Sequence, residues 1–207
     1  MLTHIGHSEK VFVMKRLLLI LILTFSFQSW IKADDISDFQ IEGMSIGDSL
    51  LDHVSKKFIH ENKSIVYDGQ DIFKAVVIEK TSFTTYDSVQ VHFEDNNQKF
   101  FIRALDGFLH YKNNIEECYD KQNKIASEIK KVLQINEMQT DSGKHPGDKT
   151  GKSTFSRTSL FMTASSPTAE IEIICFDNSK EFLYHDKLSV TIYSKEYSYF
   201  LKNYYKN

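Results

Sequence analysis

The run Gly147-Asp148-Lys149-Thr150-Gly151-Lys152-Ser153 comes nearest to a recognisable chemical motif in this chain. It ends as a phosphate-binding loop ends, in glycine, lysine and a hydroxyl. Such a loop has the spacing G-x-x-x-x-G-K-[ST], leaves a strand and opens a helix whose first N–H groups converge on phosphate. Here only three residues separate the glycines, and Pro146 stands where the first glycine belongs. Residues 153–161 read as loop and strand. The segment is expected to be a flexible basic loop, and no cofactor is assigned.

Metal and catalytic constellations fare no better. Six histidines follow residue 33: His53, His60, His92, His110, His145 and His185. Metal-binding pairs on a helix sit at i, i+4, whereas His53 and His60 are seven apart. His92 falls on the polar side of a strand, so solvated surface histidines are the expectation. There is no G-x-S-x-G elbow, no H-E-x-x-H and no spare cysteine. Asp68, Asp71 and Asp186 lie in loops, where aspartate usually forms turns. No catalytic, cofactor-binding or metal-ligating residue is assigned. The aromatic content, 16 Phe and 10 Tyr, offers one more candidate. Tyr197, Tyr199, Tyr204 and Tyr205 crowd the C-terminus, where they either pack a last helix or present a stacking or peptide-binding surface.

The clearest signal is an address. Lys15 and Arg16 precede the uncharged run LLLILILTFSF (17–27), and Ala33 stands just before Asp34-Asp35. That is the order of a secretory signal peptide with an apolar region of about 7–15 residues. It is too short for a membrane span, which needs about 20. Residues 1–33, comprising a start-site extension before Met14 and the signal peptide, are expected to be removed. Residues 34–207 then form one exported domain, periplasmic or secreted, without a membrane span. The whole chain carries a net charge of −3. Because the leader holds four basic residues against Glu9, the remainder is more acidic, which argues against a nucleic-acid partner.

The elements that must position any site are readable from periodicity. Ser45 and Asp48 have capping-box spacing, and Leu50, Leu51, Val54 and Phe58 follow on one stripe, predicting a helix over 46–60. Residues 73–80, 89–94 and 99–105 read as strands, with Asp106-Gly107 marking a turn or a bulge before 108–111. Asn114 with Glu117 opens a second helix carrying Ile115, Cys118, Ile125, Ile129, Val132 and Leu133 on one face. Residues 136–153 lack periodicity and are expected to be a long mobile loop. Residues 156–163 and 169–176 suggest a hairpin across Ser165-Ser166-Pro167. A last strand at 188–192 precedes a helix with Tyr197, Phe200, Leu201 and Tyr204. The predicted class is α+β, a single domain with an antiparallel sheet of about six strands covered by two to three helices, in the order α-βββ-α-βββ-α.

Cys118 and Cys175 are the two cysteines. An even count in an oxidising compartment favours a disulfide, and each cysteine shares a face with isoleucines on elements that must pack together. The bridge predicts Cα atoms about 4.4–6.8 Å apart.

Five segments carry a resemblance: DFQIEGMSIGDSLLD (38–52), TSFTTYDSVQVHF (81–93), EECYDKQNKI (116–125), DKTGKSTF (148–155) and LSVTIYSKEYSYFL (188–201). Together they resemble a family of uncharacterised exported proteins from marine alphaproteobacteria, over nearly all of the mature chain. The resemblance implies export and carries no known activity, so no site residue follows from it. The functional expectation is an exported, soluble, non-catalytic binding or accessory module for a small ligand or an envelope protein. The alternatives are a secreted hydrolase-like enzyme whose site spacing cannot reveal, and an envelope-associated component binding proteins through its tyrosine-rich end.

Overall fold

The computed structural model describes residues 36–67, 71–112, 114–135, 137–162, 170–182 and 185–204. The predicted signal peptide, Asp68, Tyr205 and the Ser165-Ser166-Pro167 turn lie outside these residues. Where β-branched and aromatic residues alternate with polar ones, strands form as expected. They are β4 (Phe73–Ile78), β5 (Ser88–Glu94), β6 (Ile102–Tyr111), β8 (Thr154–Phe161), β9 (Ile171–Asp177) and β10 (Asp186–Tyr193). A short β3 (Ser64–Ile65) and an exposed β7 (Glu137–Lys144) extend the edges, and β1 (Gln40–Ile41) pairs with β2 (Met44–Ser45) in a separate hairpin. The main sheet is antiparallel in the order β3-β4-β5-β6-β10-β9-β8-β7. Among the described residues three α-helices complete the fold: α1 (Lys56–Asn62), α2 (Ile115–Leu133) and α3 (Lys195–Tyr204). Each half of the chain is thus a helix followed by a four-stranded meander, and the halves join where β6 pairs with β10.

The two faces of the sheet differ in chemistry. One face packs Val89, Val91, Leu105, Val190, Ile192, Ile171 and Ile173 beneath α2 and the N-terminal hairpin, forming the main core. There the Sγ atoms of Cys118 on α2 and Cys175 on β9 lie 2.09 Å apart with Cα atoms at 5.9 Å, both residues fully buried. The predicted disulfide geometry is present. The opposite face is polar at its centre and is crossed at one end by α3. Tyr197, Phe200, Leu201 and Tyr204 of that helix pack on Tyr67, Phe73 and Ala104 as a second, smaller core. Core packing therefore accounts for Tyr197 and Tyr204, while Tyr199 is exposed.

Four expectations are corrected. The sheet has eight strands, not about six. The helix predicted over 46–60 is split into a 3₁₀ turn at Leu50–Asp52 and α1. The cause is tertiary: the N–H groups of Gly47 and Leu50 donate to Ile102 and Phe100, and Ile102 N–H donates to Asp48. Half of the capping box survives, since Asp48 accepts the Ser45 N–H at 2.8 Å. The real helix start is Ser55, whose hydroxyl accepts from Phe58 N–H. Residues 136–153 are not one irregular loop, because β7 pairs along its whole length with β8. Its residues are exposed on both faces apart from a half-buried Gly143, so no alternation marked it. Finally, Asp106-Gly107 is neither turn nor bulge. β6 runs straight through, and Gly107 gives room for the ring of Tyr86, which would lie 2.7 Å from an added Cβ.

Candidate functional site

The antiparallel register sets Gln90, Asp106, Thr191, Glu172 and Ser159 side by side across five strands, on the face away from α2. Two carboxylates thus flank a hydroxyl in the middle of a sheet. Helix α3 forms a wall over this row, because Ser194 accepts from Tyr197 N–H and starts the helix directly after β10. The result is a cleft of about 550 Å³ with Asp106, Glu172, Arg157 and Tyr193 in its floor, and Leu201 and Lys202 in its wall.

The floor is wired internally. His92 is buried, with its Nε2 2.9 Å from Asp106 Oδ2 and its Nδ1 2.7 Å from the Tyr197 hydroxyl. That hydroxyl lies 2.9 Å from the hydroxyl of Tyr67. Thr191 donates to the second oxygen of Asp106 at 2.5 Å and shares a hydrogen bond with Ser189. Tyr193 donates to Glu172 Oε2 at 2.6 Å. Burial pushes the Tyr193 hydroxyl well above its ordinary range, and the Glu172 charge adds to this, so it remains a donor. Arg157 makes a fork to Asp141, with both bonds at 2.8 Å, and its other terminal nitrogen lies 3.6 Å from Glu172. The hydrogen bond to Asp141 holds its guanidinium charged.

A second cluster lies on the same face toward the other end of the strands. Lys187 Nζ sits 4.5 Å from the Phe108 ring centre and 5.3 Å from that of Phe176. Burial lowers the Lys187 pKa. His145 packs on Phe176 and Phe182, and burial, then the nearby Lys187 charge, lower its pKa too.

The remaining sequence candidates scatter. Residues 147–153 form the turn between β7 and β8, where the Asp148 carboxylate accepts the N–H and hydroxyl groups of both Ser153 and Thr150. The hydrogen bonds from Ser153 above all hold Asp148 far below the usual carboxylate range. These amides already bind an internal anion and no helix follows, so the motif is a turn. Asp71 pairs with Lys74 at the surface, and Asp186 accepts from Asn178 N–H at the start of β10. His110 pairs with Asp87. His92 overturns its expectation: it does face the polar side, but it is buried beside α3 rather than solvated. Among the described residues no group of three His, Cys, Asp or Glu side chains converges as metal ligands, and no helix is long and apolar enough to cross a membrane. The period-two pattern could have placed His92 and Asp106 on polar faces. Their meeting with Tyr197, 105 residues from His92, depends on α3 returning across the sheet. No protein-family model, curated protein or solved structure matches this chain.

Proposed function

We propose that this chain is an exported binding module that holds a small, hydrogen-bond-donor-rich polar molecule, hydroxylated or amine-bearing, in the cleft between α3 and the sheet. The observation that carries this reading is the pair of floor carboxylates. Asp106 and Glu172 are fixed by protein donors, yet each carboxylate oxygen has two lone pairs and so retains acceptor capacity toward the cleft. Tyr193 and Leu201, both half-buried beside them, give a ligand ring or chain an apolar surface. Export rests on the leader-like residues 15–33.

A second reading, a secreted acid–base enzyme, is favoured by the His92–Asp106 pair, two titratable groups within hydrogen-bond reach beside a cleft. Against it, both ring nitrogens of His92 are engaged within the protein, and a general base must reach the proton it removes. The two readings separate in one experiment. Melting temperatures are measured with a panel of monosaccharides, polyols and polyamines, for the native sequence and for Leu201→Trp, which narrows the cleft. Binding predicts that at least one probe raises the melting temperature of the native sequence and not of the variant. At 100 times Kd the gain is about 2.7 kcal/mol. Recovery of the probe unchanged supports binding, and its conversion supports the enzyme. A panel that stabilises both proteins equally, or neither, would overturn the cleft as a site.

A further inference from the structure

On the opposite side of the sheet lies a second cavity, of about 280 Å³, between α2, the strands and the N-terminal hairpin. Its floor is Ile171, Val190 and Ile192, all buried. Ile125 and Ile129 of α2 form one wall, and Phe39, Ile41 and Tyr86 form the roof. Polar residues (Gln40, Thr85, Lys121 and Glu128) also line it, the first two and Glu128 being exposed at the rim. We infer that this cavity is a binding site for a compact, uncharged, hydrocarbon-like molecule, aromatic or branched aliphatic.

Protein interiors are close-packed, and unfilled apolar volume costs stability in proportion to its size. An enclosed apolar cavity of about 150 Å³ binds benzene, and this one offers an apolar floor beneath an open polar rim. It is nearly twice as large. Filled to the ordinary interior density of about 0.74, it takes a molecule on the order of ten non-hydrogen atoms. The floor offers no side-chain polar group to hold ordered water, which needs two to four polar partners. Ligand neutrality follows from the lining, where Lys121 and Glu128, seven residues apart on α2, present opposite charges that favour neither sign.

The roof is held in place rather than collapsed onto the floor. Glu42, in the β1–β2 turn with φ +50°, accepts the N–H groups of Thr84, Thr85 and Tyr86 at 3.0, 2.7 and 2.9 Å. One carboxylate therefore ties the hairpin to the segment carrying Tyr86, whose ring lies against Gly107. The cavity is shaped by fixed backbone on three sides. It stands independently of the cleft reading, since it lies on the other face of the sheet.

The test is methyl-resolved NMR of the full exported chain with naphthalene as probe and naphthalene sulfonate as a charged control. Naphthalene is expected to shift the Ile171, Val190 and Ile192 methyl resonances saturably, with the sulfonate at least tenfold weaker. Val190→Phe and Ile129→Phe fill the cavity from the floor and from the helix wall, and either one that folds is expected to weaken naphthalene at least tenfold. Leu201→Trp, on the opposite face, leaves the affinity unchanged. No methyl shift with naphthalene, or equal shifts in a folded cavity-filled variant, would overturn the assignment.

Discussion

Replacing both cysteines, Cys118→Ala with Cys175→Ala, removes the one covalent link between α2 and the sheet. The bridge spans 57 residues. In the chain-entropy model a closure of that length restricts the unfolded ensemble by about 4 kcal/mol. Both residues are fully buried, so the loss of two sulfurs from a packed core adds to the penalty. For a domain of 150–250 residues, 1 kcal/mol moves the melting temperature by about 2–4 °C. The double variant is therefore expected to melt about 8–16 °C below the native sequence by calorimetry. Three further signs distinguish this cause from simple cavity formation. Reductant lowers the native protein most of the way to the variant's melting temperature, the remainder being the packing of the two sulfurs it keeps, and leaves the variant unmoved. The denaturant m-value rises when the bridge is absent, because the unfolded chain expands and exposes more surface. The native protein shows no titratable thiol even when unfolded. A variant that melts within 2 °C of the native sequence, or two reactive thiols in the native protein, would refute the reasoning.

Three other outcomes are expected. Gly107→Ala places a methyl 2.7 Å from the Tyr86 ring, which Glu42 anchors through the backbone, so overpacking should cost about 1–3 kcal/mol and alter the near-ultraviolet tyrosine signal. Burial alone would raise the Glu42 pKa, but its three backbone hydrogen bonds together outweigh that and depress it below the ordinary 4.5. Its contribution is thus complete above that value and is lost as pH falls through the lower folded value. Accordingly, Glu42→Gln should be less stable than the native sequence at neutral pH, with the two denaturation curves converging in acid. Tyr197→Phe leaves His92 Nδ1 buried without its hydroxyl partner and should cost about 1–3 kcal/mol, measured by urea unfolding.

How far the fold could be read in advance follows from where each residue faces. In β5, Val89, Val91 and Phe93 alternate with Gln90, His92 and Glu94, and the strand appears where the alternation is. In β7, the residues of EMQTDSGK meet solvent on both sides, so the period-two signal vanishes and a strand read as a loop. Leu50, Leu51, Val54 and Phe58 have helical spacing, yet hydrogen bonds to residues 100–102 override it. Such long-range backbone pairing leaves no local trace. The cysteine pair was legible because each thiol lies on an apolar face that had to be buried. The cleft was not, because Asp106, Thr191 and Glu172 become neighbours only through register between β6, β10 and β9. Gly107 stands out by its type, but its role depends on Tyr86, 21 residues earlier in the chain and brought against it only by the fold.

The most direct test of the central claim is an NMR fragment screen of residues 34–207, using small hydroxylated and amine-bearing compounds and mapping every backbone amide and tyrosine ring. The account predicts that the perturbations of the strongest hits converge on Thr191, Glu172, Tyr193, Tyr197 and Leu201, around the cleft that α3 closes over the sheet. Hits that cluster elsewhere on the surface, with these residues unmoved, would contradict it.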